Sequence, residues 1–151
     1  MKKLKYLSYS VVLQEVPDEI SLAINISDCP YKCKGCHSKE LWEYNGSYLI
    51  DDIDILLDKY DGLISCVCFM GGDQNEEDLI VCLDRVRNRN LKSCLYTGNN
   101  SIKNLSCKVI SKLDYIKIGR YIEELGGLNC KTTNQKMYNL KTGKEIKFYK
   151  N

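Results

Sequence analysis

Ile64-Ser-Cys-Val-Cys-Phe-Met-Gly-Gly-Asp73 is the stretch on which the fold turns. Its first seven residues form a short apolar run that suits a strand buried in a parallel sheet. Gly71-Gly72-Asp73 then supplies turn residues, and Asn75 is placed to cap a helix from Glu76 to about Asn88. That helix carries acidic residues in its first turn and Arg85 and Arg87 in its last, matching the helix dipole. Upstream, Leu49, Ile53, Leu56, Leu57 and Tyr60 recur at helical spacing, with Asp51, Asp52, Asp54 and Asp58 outward. Further back, Ile20-Ser-Leu-Ala-Ile-Asn-Ile26 alternates like a strand. Downstream, Leu91 to Tyr96 and Tyr115 to Ile118 read as two more strands, with a short or broken helix over Ser101 to Leu113.

Strands alternating with helices imply βαβ units and a mostly parallel sheet. Gly119 to Asn134 reads as a loop carrying a short helical turn. The tail differs, because Gln135 to Leu140 and Glu145 to Tyr149 flank a turn at Thr142-Gly143 and read as a hairpin. No repeat, low-complexity tract or linker divides residues 1–151, so one domain is expected. A chain of this size buries about 68–70% of its unfolded surface without disulfide staples.

Lys plus Arg number 22 against 20 for Asp plus Glu, a balance that argues against nucleic acid as the main partner. No stretch of 18 apolar residues occurs, and Ser8, Tyr9, Ser10 and Gln14 interrupt any apolar run after the basic start. A soluble, cytoplasmic protein that does not engage a membrane is the expectation. Nine cysteines are many for the length, and their odd number speaks against a secreted disulfide framework. Cys66, Cys68, Cys82 and Cys94 fall in predicted strands or helix and read as core. Only Cys29, Cys33 and Cys36 cluster.

Cys29-Pro-Tyr-Lys-Cys33-Lys-Gly-Cys36 has the spacing C-x3-C-x2-C. Three thiolates on one loop hold three corners of an iron–sulfur cube, whereas full ligation takes four. One iron would stay open to a substrate. The alternative is structural zinc, which wants four ligands, usually in two separated pairs. His37 is the only candidate fourth ligand, but it adjoins Cys36, and no second cysteine pair exists at zinc spacing. The cysteine loop follows one predicted strand and Gly71-Gly72-Asp73 the next. In a right-handed parallel arrangement both loops leave the same end of the sheet.

The cysteine spacing after a first strand resembles the signature of the radical S-adenosylmethionine (SAM) superfamily. The continuation Cys36-His-Ser-Lys-Glu-Leu-Trp42 is similar to the activating proteins of anaerobic ribonucleoside-triphosphate reductases. Phe69-Met-Gly-Gly-Asp73, Tyr115-Ile-Lys-Ile-Gly119 and Thr133-Asn-Gln135 resemble further elements of that branch. The similarity runs from about Ile20 to about Gly143. It implies a partial, truncated TIM-like (β/α) barrel with a C-terminal hairpin or loop extension.

The resemblance also implies a [4Fe–4S] cluster on Cys29, Cys33 and Cys36 and SAM as second cofactor, with no catalytic residue beyond the cluster. It places Gly35, Cys36, His37, Gly71, Gly72, Asp73 and Thr97 at SAM. Two of these keep a second reading: His37 either contacts SAM or packs the loop, and Thr97 either touches SAM or ends its strand. The implied activity is oxidoreductive, a 5′-deoxyadenosyl radical installing a glycyl radical on the reductase large subunit. A reduced flavodoxin- or ferredoxin-type donor would supply the electron. The protein substrate would cover an open site, helped by Tyr121 to Gln135. The rivals are activation of another glycyl-radical enzyme, a non-catalytic iron–sulfur electron carrier, and a zinc-binding module.

Overall fold

The computed structural model describes residues 2–36 and 38–148. It begins with a strand that sequence reasoning passed over, β1 (Lys5–Val12). Its side chains are mostly half-exposed or exposed, so it lacks the apolar run that marks a buried strand. The other strands are β2 (Ser21–Ile26), β3 (Ser47–Tyr48), β4 (Cys66–Met70), β5 (Lys92–Tyr96), β6 (Tyr115–Ile118), β7 (Lys136–Asn139) and β8 (Lys144–Ile146). The helices are α1 (Leu49–Lys59), α2 (Glu76–Asn88) and α3 (Cys107–Lys112).

The architecture corrects the expected barrel. One eight-stranded sheet runs in the order β3-β1-β2-β4-β5-β6-β7-β8, and it is not closed. Only β2, β4, β5 and β6 run parallel to one another, while β1, β3, β7 and β8 add antiparallel pairings at the two edges. A barrel needs enough strands, at a common stagger, to bring its ends together. Here antiparallel strands end the sheet on both sides after four parallel strands. The sheet is therefore mixed, with three short helices, rather than a helix-rich barrel. The tail hairpin forms as expected, although Tyr149 lies outside the described residues.

Strand alternation splits the core into two layers. Leu22, Ile24, Val67, Phe69, Leu95 and Ile116 pack with Leu49, Ile53, Leu57, Leu79, Leu83 and Val109 of the helices. Full burial of each such side chain contributes about 1.5–3 kcal/mol. The opposite face carries Cys66, Cys68, Cys94, Tyr115 and Met137, covered by Val16. The helix α2 has the expected bounds because Asn75 accepts a hydrogen bond from the Asp78 N–H (3.2 Å) and caps it.

The face opposite the helices is closed near the strands' N-terminal ends by a buried carboxylate. Glu19 accepts hydrogen bonds from Ser65 Oγ (2.7 Å), Tyr115 OH (2.8 Å) and Lys92 Nζ (3.0 Å). Burial pushes its pKa up, but these three donors outweigh burial and hold it below the ordinary value. The stability it contributes is present above the unfolded-state pKa and lost as pH falls through the depressed folded value. Glu19→Ala should therefore cost about 2 kcal/mol at pH 7, less than a fully buried pair because Lys92 is half in water. Urea unfolding at pH 7 and below about pH 4 checks this, with the gap to the natural chain narrowing at the lower pH.

Candidate metal centre

The parallel strands deliver four loops to one end of the sheet. After β2 the chain enters residues 27–46, a loop tied at its base rather than free. Ser27 N–H donates to Lys5 O (2.9 Å), Ser27 Oγ to Asn45 O (2.6 Å) and Cys29 N–H to Leu41 O (2.9 Å). Within it, Lys32 adopts φ 45° and Gly35 φ 75°, reversing the chain between successive cysteines. That positive φ favours glycine at 35, where an added Cβ would also meet the Glu123 carboxylate at 2.9 Å.

Cys29, Cys33 and Cys36 all line one cavity of about 180 Å³, bounded also by Gly71, Asp73, Thr97 and Lys117. Segments far apart in the chain thus meet as expected. Among the described residues, no three His, Cys, Asp or Glu side chains close around a single ion's position. Cys33 is buried, Cys29 and Cys36 partly so, and none is in a disulfide. His37 lies outside the described residues.

The glycine pair after β4 takes the left-handed backbone that glycine favours, with φ 103° at Gly71 and 117° at Gly72. Gly71 N–H donates to Tyr96 O (2.9 Å), so it completes the ladder between β4 and β5. Asp73 joins three loops. Its Oδ2 accepts from Thr97 Oγ1 (2.8 Å), Tyr31 OH (3.3 Å) and Asn99 Nδ2 (3.4 Å). The Thr97 hydroxyl also accepts from Asn99 N–H (3.0 Å), tying down the end of β5.

Three contributors escaped sequence reasoning. Gln74 Oε1 accepts from Gly72 N–H (3.1 Å) while its Nε2 donates to Ser27 O (3.0 Å) and Asp28 O (3.3 Å), clamping the glycine turn to the cysteine loop. Tyr31, inside the cysteine motif, connects it to Asp73. Lys117 is the most informative. It is only 8% exposed, yet its Nζ has one protein acceptor, Gly119 O at 3.0 Å, and lies 5.5 Å from the centre of the Tyr96 ring. No carboxylate forms an ion pair with it among the described residues. Burial lowers its pKa to about 8, opposed in part by the nearby Asp73 carboxylate. A lysine inside the apolar-looking run Tyr115-Ile-Lys-Ile118 was the available signal.

Thr133, Asn134 and Gln135 fold back onto the end of β6. Gln135 Nε2 donates to Gly119 O (3.3 Å), Asn134 Nδ2 to Arg120 O (3.0 Å), and Arg120 Nη2 to Tyr31 O (3.3 Å). The loop after β6 thereby reaches the cysteine loop.

Residues 20–141, most of the chain, match the family model described as a 4Fe-4S single cluster domain. The protein belongs to that family. No curated protein and no solved structure matches it. For a 4Fe-4S single cluster domain the donor set is adequate: three thiols on one cavity wall, and a buried cation whose charge suits an anionic occupant. A cluster-binding chain replaces the zinc alternative. No helix of the described residues is long and apolar enough to cross a membrane.

Proposed function

We propose that this 4Fe-4S single cluster domain binds its cluster through Cys29, Cys33 and Cys36 and uses it to cleave SAM. When bound and reduced, the cluster supplies the electron that splits SAM into methionine and a 5′-deoxyadenosyl radical. The observation that carries the reading is Lys117, a buried ammonium without a carboxylate partner among the described residues, on the same cavity as the three thiols. Leaving a buried charge unpaired costs several kcal/mol. Such a residue fits a site whose occupant brings negative charge, here the thiolate-bound cluster and the carboxylate of SAM.

The remaining residues orient and enclose. Gly71 lets backbone approach a ligand without a Cβ in the way, and Asp73 favours the SAM ammonium. A Cβ at Gly72 would instead meet the core side chains of Ile26, Leu79 and Leu4. Gln74 and Tyr31 keep the glycine turn and the cysteine loop in register. Thr97 lines the same cavity, whereas Gly35 turns the cysteine loop without lining it.

The radical's target, in this reading, is a glycine of the large subunit of an anaerobic ribonucleoside-triphosphate reductase. The sheet is open and the domain small, so a protein partner has to complete the enclosure and keep water from the radical. The segment 121–135, folded beside the cavity, is the part that meets it.

Electron paramagnetic resonance of the reduced, cluster-loaded protein, with and without SAM, tests the proposal. A cluster signal that changes shape on adding SAM is expected. A reduced cluster indifferent to SAM would mean an electron carrier instead.

A further inference from the structure

One residue between the first two cysteines reaches the other three loops at this end of the sheet. Tyr31 donates its hydroxyl to Asp73 Oδ2 (3.3 Å) after β4, and its carbonyl accepts from Arg120 Nη2 (3.3 Å) after β6. Its ring lies against the backbone of Gly98, after β5. A Cβ added at Gly98 would meet ring atoms Cγ and Cδ2 at 2.6 Å and Cδ1 at 2.9 Å. Gly71 and Gly119 sit at positive φ and Gly98 does not, so backbone conformation alone does not require glycine there. The ring is what requires it. The crowded atoms lie at the root of the ring, and its far end is held on Asp73. The ring therefore cannot swing clear without giving up that hydrogen bond.

We propose that Tyr31 is a positioning residue whose ring, seated on Gly98, holds Cys29 and Cys33 toward the cavity before any cluster arrives. This rests on the proposed cluster site. The ends of the motif have anchors of their own. Cys29 N–H donates to Leu41 O (2.9 Å), Gln74 Nε2 to Asp28 O (3.3 Å), and Ser38 N–H to Cys36 Sγ (3.3 Å). In the middle, Lys32 and Lys34 are exposed, and Tyr31 ties the loop inward. Without that tie the cluster itself would have to order the loop, at the cost of its conformational entropy. A seat built by the fold removes that cost. Its base is fixed, because Thr97 N–H, next to Gly98, donates to Lys117 O (2.9 Å). The hydroxyl has the lesser part, since Asp73 keeps Thr97 (2.8 Å) and Asn99 (3.4 Å) without it.

Alkylation of the reduced, cluster-free chain by iodoacetamide, followed cysteine by cysteine with peptide mass spectrometry, tests the seat without any cofactor. Gly98→Ala and Tyr31→Ala should each speed labelling of Cys33, the most buried of the three thiols, by about fivefold or more through local opening. Tyr31→Phe keeps the ring and should stay within about twofold of the natural chain. Cys107 and Cys130 are exposed and half-exposed references whose rates should not change. After anaerobic reconstitution, iron loss to a chelator should quicken by about tenfold or more in G98A and Y31A, and little in Y31F. The double variant G98A/Y31A should label no faster than Y31A, because removing the ring makes room for the new Cβ. G98A labelling at the natural rate overturns the inference. So do G98A and Y31A effects that add, reference cysteines that speed up equally, or a Y31F as impaired as Y31A. If the reduced, loaded protein ignores SAM, the proposed function fails, while labelling of the cluster-free chain still judges the seat.

Discussion

Cys33→Ala is expected to abolish cluster binding while leaving the fold intact. Cys33 is the most buried thiol of the loop, at 7% exposure, and stands between the other two. Its backbone role is separate from its side chain: Cys36 N–H donates to Cys33 O (3.1 Å), a bond that alanine keeps. Removing one of three ligands should cost more than the 10–100-fold typical of losing an outer-shell partner, so the reconstituted iron content should collapse. The check is iron and sulfide per chain after anaerobic reconstitution, beside circular dichroism to confirm the fold. Cys130→Ser is the control, since Cys130 lies outside the cavity lining and should retain the cluster. A C33A chain with a full complement of iron would overturn the ligand assignment.

How far the sequence announces this structure differs element by element. The helix α2 is legible to the residue, because its cap, its first-turn acids and its last-turn arginines are all local. The strands β4 and β6 are legible for a related reason, since strands buried on both faces leave apolar runs. The strand β1 is not. It sits near the sheet edge, half in water, and its Ser and Tyr residues look like loop. Missing it made Ile20–Ile26 seem the first strand and hid the antiparallel pairing that keeps the sheet from being mostly parallel. Barrel closure depends on non-local pairing, which no local pattern encodes. The site divides in the same way. The cysteine spacing and the glycine pair are local motifs, and the fold brings both to one cavity with Thr97. The clamp from Gln74 to Ser27 spans 47 residues, and the link from Tyr31 to Asp73 spans 42. Such hydrogen bonds exist only once the parallel strands align their ends.

Lys117→Met is expected to separate ligand binding from stability. Methionine retains most of the buried aliphatic length and removes the charge. A lysine that is 8% exposed, with one carbonyl acceptor and no ion pair among the described residues, holds its charge at a cost to the fold. The Gly119 carbonyl it leaves is also served by Gln135 Nε2, so no acceptor is stranded. The variant should therefore unfold at higher urea, gaining about 1 kcal/mol or more, as happens when a buried ionic group gives way to an apolar one. Binding should move the other way. A charge-assisted hydrogen bond contributes about 1.5–3 kcal/mol, so the SAM concentration needed to change the cluster's resonance signal should rise by about 10–150-fold. Cluster content should stay near that of the natural chain, because all three thiols remain. Stability up and SAM affinity down together mark a residue kept for its ligand at the expense of the fold. If K117M instead loses stability and cluster in parallel, Lys117 is a structural part of the sheet, and the observation on which SAM binding rests falls with it.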